Sequence, residues 1–238
     1  MRYLIILFFL ISIFTKGQIV VNNNVPYNDP ISLVDNILLG GGIIASNHTF
    51  QGATAQIGWF NAQNTSLGLD SGVILCTGDI YSIDPVNPGL GVTMPVPAIV
   101  DPDLLTVANS VPPLIGQTFT VGSVNDVAIL EFDFIPTSDS LSFNYVFGSE
   151  EYFAFENSQY NDVFGFFLSG PGISGPYSSP SYHPNGSINL AIVPGSNPPL
   201  PITISSVNSV TPINSQYFVD NQGGLDTIAS ADGYTTVL

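Results

Sequence analysis

The sequence LSFNYVF at residues 141–147 alternates between apolar and polar side chains, and this alternation indicates the fold class. Its apolar members, from Leu141 to Phe147, would lie on one face of a β-strand, with Ser142 and Asn144 on the other. Because successive side chains on a strand point to opposite faces, a period of two residues predicts a strand with one face in a core.

The preceding segment, 128–134, has the same period. Its even-numbered residues are apolar and share one face, whereas Glu131 and Asp133 share the opposite face. Residues 136–140 are rich in Pro, Ser, Thr and Asp, which favour turns. The pattern therefore predicts a hairpin in which 128–134 pairs with 141–147.

A third segment, VFGFFL at 163–168, is apolar on both faces, which is typical of a central strand covered on both sides. Further strands are predicted at 188–193, 201–207 and 217–219. The chain has 23 Gly and 19 Pro, spread along its length as turn residues would be. These features predict an all-β fold, an antiparallel β-sandwich of jelly-roll-like form with two short helices.

The two helices are predicted from capping residues. Ser32 can cap a short helix over 33–39, before a run of glycines. Asp101 can cap a second helix, with Pro102 at its first position.

The charge of the chain is strongly one-sided. Its 238 residues include 18 Asp and Glu but only 2 Lys and Arg, for a net charge of -16. The two cations are Arg2 and Lys16, so the rest of the sequence has none. Each carboxylate must face water, accept hydrogen bonds from neutral donors or hold a metal ion. This charge excludes nucleic acids and anionic membranes as electrostatic partners, and it makes divalent cations the natural counter-charge.

Residues 1–17 have the pattern of a signal peptide, with Arg2 before an apolar run and a small residue before the expected cleavage site at Gln18. An uncleaved N-terminal anchor is the alternative. We expect a lead-in over 18–29, a domain over 30–238, and a secreted or cell-surface location. The sequence stops within a strand-like pattern, so we expect a fragment whose domain continues beyond Leu238; a natural C-terminal strand is the alternative.

Cys76 is the only cysteine, so no intrachain disulfide can form. It lies in the apolar sequence GVILC at 72–76, which favours a small buried hydrophobe over a catalytic thiol.

Acidic side chains are densest between the predicted strands at 141–147 and 163–168. Carboxylate and amide oxygens in a loop are ligands that Ca²⁺ prefers, and two carboxylates on the neighbouring strand could contribute. The alternative is a solvated acidic loop. The predicted Ca²⁺ ligands are Glu150, Glu151, Glu156, Asp162, Glu131 and Asp133.

Aromatic residues in turns are the other candidates for binding. Tyr177 and Tyr182 lie in a Pro/Ser-rich loop, where aromatic rings can contact a ligand. Trp59, within the apolar sequence IGWF, is expected in the core.

Several segments together resemble a known family. They are LVDNILLGGG at 33–42, AQIGWF at 55–60, GLDSGVIL at 68–75, FNYVFGSEEY at 143–152 and NDVFGFFLSGPG at 161–172. This set, covering about residues 30–238, resembles the choice-of-anchor L domain of secreted bacterial proteins of the Bacteroidetes type. The resemblance implies an exported surface module, and it indicates location better than mechanism.

We therefore expect a non-enzymatic secreted or cell-surface module. It would act in adhesion or ligand presentation towards an extracellular glycan or protein surface, with calcium stabilising it. The alternative is a carbohydrate-binding accessory domain of a larger secreted hydrolase. A third hypothesis, an autonomous hydrolase, would need Glu150 or Glu151 as a catalytic group, but adjacent residues on a strand point to opposite faces. The oligomeric state stays open.

Overall fold

Short antiparallel strands make up most of the regular structure. The computed structural model describes residues 17–39, 43–83, 100–178, 183–210, 213–221 and 228–238. Apart from Gly17, the predicted signal peptide lies outside the described residues. The strands are β1 (Val20–Asn22), β2 (Ile43–Gln51), β3 (Ile57–Asn61), β4 (Ser71–Leu75), β5 (Ile129–Pro136), β6 (Gly148–Ser149), β7 (Phe167–Leu168), β8 (Ile188–Asn189), β9 (Phe218–Asp220) and β10 (Gly233–Thr235).

The strands form two three-stranded and two two-stranded sheets. The three-stranded sheets have the orders β1-β3-β4 and β6-β10-β9, and the ribbons are β2-β5 and β7-β8. Every pairing is antiparallel. With only two short α-helices among the described residues, the structure confirms the predicted all-β, sandwich-like fold.

Both predicted helices are present. The first, α1 (Pro30–Leu33), continues as a π-helical turn over Val34–Leu38. Its cap is Asp29, whose carboxylate accepts from the backbone N–H of Ser32 at 3.0 Å and from its hydroxyl at 2.7 Å. The prediction that Ser32 caps the helix is therefore wrong: the helix starts earlier, and Ser32 donates to the cap.

The second helix, α2 (Pro102–Leu114), follows the predicted cap Asp101. Oδ1 of Asp101 accepts from the backbone N–H groups of Asp103 and Leu104, at 2.8 and 2.9 Å. These bonds satisfy two of the N–H groups that a helix start leaves without an intrahelical partner.

The predicted hairpin between 128–134 and 141–147 is wrong. β5 pairs along β2, from Ile43 opposite Pro136 to Gln51 opposite Ile129. Residues 141–147 instead meet the C-terminal segment: Tyr145 and Leu238 exchange backbone hydrogen bonds of 3.1 and 3.0 Å. The turn pattern at 136–140 is local, whereas β2 offers β5 a longer antiparallel partner.

The core consists of separate apolar clusters. One contains Val111, Val193, Leu200, Ile202 and Val207. α2 thus supplies an apolar residue that packs on the segments around 193–207.

The second cluster contains Ile228, Ala229 and Tyr234, packed near β9 and β10. No helix within the described residues has the length and apolar character needed to cross a membrane.

A fully buried glutamine ties three segments together. Gln56 Nε2 donates to the carbonyls of Thr77 and Asp126, both at 2.9 Å, and its Oε1 accepts from the N–H of Ala53 at 2.7 Å. Because a buried polar group is costly without partners, these three bonds fix the path of the chain beside β3.

Replacement of the α2 cap should destabilise the fold. We expect Asp101→Ala to lower the free energy of unfolding by about 1 kcal/mol, because two backbone N–H groups lose their acceptor. Urea denaturation followed by circular dichroism would measure this change. The control is Asp139→Ala, which removes the same charge from an exposed turn; equal stability of the two variants would contradict the capping role.

Candidate functional site

The acidic loop, residues 150–162, connects β6 to the apolar segment 163–168. One hydroxyl closes both of its ends: Ser149 Oγ donates to Oδ2 of Asp162 at 2.6 Å and accepts from the N–H of Glu151 at 2.9 Å. The serine of the Gly-Ser-Glu-Glu sequence thus places Glu150, Glu151 and Asp162 in one small region.

The acidic loop lies on a buried turn at residues 201–208, in which polar side chains stand among apolar core residues. The N–H of Asn157 donates to Ser205 Oγ at 3.0 Å, and the N–H of Ile204 donates to the carbonyl of Asp162 at 3.2 Å. Asn161 Oδ1 accepts from the N–H of Ser205 at 3.3 Å. Hydrogen bonds to this buried turn therefore hold the second half of the loop.

The middle of the loop has an unusual backbone. Phe153 and Asn157 have φ angles of 68° and 57°. This left-handed region is uncommon for a bulky residue such as Phe. Glu156 braces it, since its Oε1 accepts from the N–H of Phe153 at 3.2 Å. Its Oε2 is buried and accepts no hydrogen bond from the part of the chain that the structure describes. Strained backbone is maintained where surrounding structure enforces it, often at functional sites.

The carboxylates of the loop influence one another. Burial raises the pKa of Asp162, and the hydrogen bond from Ser149 opposes this shift. Burial, followed by the negative charge of Asp162, raises the pKa of Glu151 from 4.5 to about 7. The fold therefore brings together carboxylates that would each be more easily ionised in water.

Asp232 is a further member that sequence reasoning missed. The pairing of β6 with β10 sets Gly233 opposite Ser149, and the N–H of Asp232 donates to the Ser149 carbonyl at 3.0 Å. Burial raises the pKa of Glu150, and the negative charges of Asp232 and then Asp162 raise it further. A hydrogen bond with Ser230 opposes this shift. No local pattern connects Asp232 with the loop, because a pairing between distant segments creates the contact.

Tyr152 is buried beneath the acidic loop. Its side chain is fully buried, and its hydroxyl has no hydrogen-bond partner among the described residues. Burial first, and then the charges of Glu156 and Asp162, raise the pKa of this phenol. It therefore stays protonated close to both carboxylates.

Glu131 and Asp133 lie elsewhere, on β5 of the β2-β5 ribbon. Asn47 Nδ2 donates to Asp133 at 2.6 Å, and Gln51 Nε2 lies 3.5 Å from Glu131. Neither carboxylate contributes to the pKa shifts of Glu150 or Glu151. The six predicted Ca²⁺ ligands thus divide into four in the acidic loop and two on this ribbon.

The described part of the chain assembles no group of three or more His, Cys, Asp or Glu side chains arranged to hold a metal ion. A cation at the acidic loop would therefore need amide, hydroxyl or backbone oxygens beside the carboxylates. Such mixed oxygen sets are ordinary for Ca²⁺.

Cys76 lies near the acidic loop and is partly exposed, not fully buried as its apolar sequence predicts. Burial, opposed by a hydrogen bond from Gly78, raises the pKa of the thiol. The charges of Glu150 and two aspartates raise it further. Because the thiolate is the reactive form, this environment disfavours catalysis by Cys76.

The loop that contains Tyr177 is anchored to α2. The N–H of Ser178 donates to both carboxylate oxygens of Asp103, at 3.0 and 2.9 Å. The ring of Tyr177 lies 5.0 Å from that of Phe167 and is half-buried. Tyr182 lies outside the described residues.

Trp59 is not a core residue. On β3 it lies between buried neighbours but is itself partly exposed. Its ring stacks on Tyr27, with centroids 5.2 Å apart and planes inclined by 19°. Sequence reasoning missed Tyr27. It also did not predict the exposure of Trp59, because the sequence IGWF is apolar on both faces and gives no sign of which face is exposed.

Comparison with protein-family models confirms the resemblance drawn from the sequence motifs. The model described as the choice-of-anchor L domain matches residues 20–238, nearly the whole chain. Comparisons with curated proteins and with solved structures found no match.

The raised pKa of Glu151 predicts a pH-dependent stability. Because the folded pKa is about 7 and the unfolded value is 4.5, its contribution is fully present below pH 4.5 and is lost as the pH rises through 7. We expect Glu151→Gln to remove this loss, which is worth about 1 kcal/mol after allowance for solvent screening. Urea denaturation between pH 4.5 and 7.5, in a chelator, would measure it.

Glu131→Gln is the matched control, because it removes the same charge from β5. Equal pH dependence in both variants would show that general charge repulsion, and not the environment of Glu151, causes the effect.

Proposed function

Because the chain belongs to the choice-of-anchor L domain family, we propose that it is a non-enzymatic module of adhesion or ligand presentation, stabilised by calcium at the acidic loop. The family is a surface-associated, extracellular type of domain. The proposal adds the task of that module and the ion that supports it.

The observation that carries the proposal is the crowding of carboxylates without cationic side chains. Glu150, Glu151 and Asp162 are half-buried, and the charge of Asp162 raises the pKa of both glutamates. The sequence beyond Lys16 contains no Lys or Arg to neutralise them. Their charge must be reduced by protonation or by a cation from solution.

Calcium suits this position better than the transition metals do. The groups available are carboxylates, hydroxyls, amides and carbonyls, which are the hard oxygen ligands of Ca²⁺. Glu150 and Asp162 would supply charge, and backbone oxygens of the loop would complete the ligands. Zn²⁺ would call for His or Cys ligands, and the partly exposed Cys76 holds its proton.

Bound calcium would stabilise the loop at the point where it needs support. A cation offsets the repulsion between carboxylates, and its ligation would help to hold the loop in the conformation that contains the left-handed residues Phe153 and Asn157. A rigid loop loses less conformational entropy when it binds a partner. This property fits a module that presents a surface to other molecules.

Calcium should raise the stability of the chain. At a free concentration a hundredfold above its Kd, calcium binding is worth about 2.7 kcal/mol, which should raise Tm by about 5–10 °C. Calorimetric titration should show one saturable site. We expect Glu150→Gln and Asp162→Asn each to weaken binding about tenfold or more, the loss of one carboxylate ligand.

Asp139→Asn is the control, since it removes an equal charge from an exposed turn. The proposal would be wrong if the titration gave no saturable heat, or if Mg²⁺ at the same concentration raised Tm equally. Either result would leave the negative charge as a general means of keeping the protein soluble.

A further inference from the structure

We propose that the outer face of the β1-β3-β4 sheet binds a neutral glycan, with Tyr27 and Trp59 as its stacking residues. This inference rests on the proposed function and specifies the ligand class. We define the glycan face by Asn22, Tyr27, Trp59, Asn61 and Val73.

The register of the sheet brings these residues together. Trp59 on β3 lies opposite Asn22 of β1 and opposite Val73 of β4. Asn61 lies two residues further along β3, so it shares the face of Trp59. Tyr27 follows β1 and stacks on Trp59. Trp59 therefore lies at the centre, with the amide of Asn22 beside it on β1, Val73 beside it on β4 and the amide of Asn61 further along β3.

The rings present the surface that sugars require. Both Tyr27 and Trp59 keep part of their surface exposed, and their planes are nearly parallel. The π face of an aromatic ring is negative and attracts the weakly positive C–H groups of a sugar ring. Because the stacking turns one face of each ring towards the other ring, a sugar would contact the faces and edges that remain, and the contact between the rings limits the side-chain entropy lost on binding.

Hydrogen-bonding groups surround the rings and remain available. The Asn22 Oδ1 atom accepts from the N–H and Nδ2 of Asn24, and Asn61 Oδ1 accepts from the N–H of Gln63. The Nδ2 groups of Asn22 and Asn61 have no hydrogen-bond partner within the described part of the chain. The same holds there for the Trp59 indole N–H and the Tyr27 hydroxyl. Four donors around an aromatic platform match the hydroxyl oxygens of a sugar.

Charge restricts the ligand to a neutral one. The sequences of β1, β3 and β4 contain no charged residue, so the glycan face offers no partner for an ion. The net charge of -16 opposes the approach of anionic polysaccharides. The mixture of aromatic rings and amides favours a neutral oligosaccharide over an apolar protein surface.

Trp59 is the only tryptophan in the chain, so its fluorescence reports directly on this face. We expect a saturable change in emission with at least one of four neutral hexasaccharides: cellohexaose, maltohexaose, xylohexaose and mannohexaose. An oligogalacturonate of equal length should give none. Tyr27→Ala should weaken binding about tenfold, the effect of losing one stacking ring.

Variants separate binding from folding. Trp59→Phe keeps an aromatic ring on the sheet, and calorimetry would show whether it still binds sugar. Asn61→Ala removes one donor and should also weaken binding, whereas Tyr160→Ala, which removes an exposed ring from the acidic loop, should bind like the wild type. Failure of all four sugars, or wild-type affinity in Tyr27→Ala, would overturn the inference.

A bead assay distinguishes this inference from the proposed function. Beads coated with the protein are tested on immobilised glycoproteins before and after periodate oxidation, which cleaves vicinal diols of sugars. Adhesion lost after oxidation supports glycan binding. Adhesion that persists overturns the glycan inference while the adhesive function stands, and no adhesion on either surface overturns both.

Discussion

The scarcity of cationic side chains imposes the main constraint on this structure, because the sequence beyond Lys16 contains no Lys or Arg with which a carboxylate could pair. A buried or half-buried carboxylate is costly unless hydrogen bonds or cations compensate its charge. In this chain neutral donors stabilise several carboxylates. Asp101 accepts from backbone N–H groups at the start of α2, Asp103 accepts from Ser178, and Asp162 accepts from Ser149. The imidazole Nε2 of His48 lies 2.9 Å from Oδ1 of Asp35, within hydrogen-bonding distance. Acidic side chains are thus built into the fold as hydrogen-bond acceptors, and at the acidic loop several of them lie close together.

The buried turn at 201–208 explains how such crowding can be tolerated. Its backbone and side-chain groups hold Asn157, Asn161 and the carbonyl of Asp162, so much of the second half of the loop is positioned by contacts that do not involve its carboxylates. The repulsion between those carboxylates then lowers the free energy of unfolding of the whole domain. The stability of the domain should therefore depend on pH and on cations, because neutralising these carboxylates relieves the repulsion between them. The glycan face is different: it carries no charge, and it lies on a sheet separate from β6.

Sequence reasoning succeeded where a structure depends on neighbouring residues. Asp101 followed by Pro102 predicted the start of α2, because the cap bonds to N–H groups two and three residues away. The alternation in 128–134 predicted the two faces of β5, where Phe132 and Phe134 contact each other on one side. The motifs also predicted the family, and the match over 20–238 confirmed it. Prediction failed for the hairpin, because the pattern of 141–147 does not encode its partner at the C-terminal end.

The candidate sites show the same division. The sequence by itself determined the lack of Lys and Arg beyond Lys16, the concentration of carboxylates in residues 150–162, the strand-rich fold and the cap of α2. Only the tertiary structure decided that Asp232 joins Glu150, that Glu131 and Asp133 stay on a separate ribbon, and that Tyr27 stacks on a partly exposed Trp59. The physical reason is range: composition and capping act over a few residues, whereas the pairing of β6 with β10 and of β1 with β3 depends on which distant segments bury their apolar faces together.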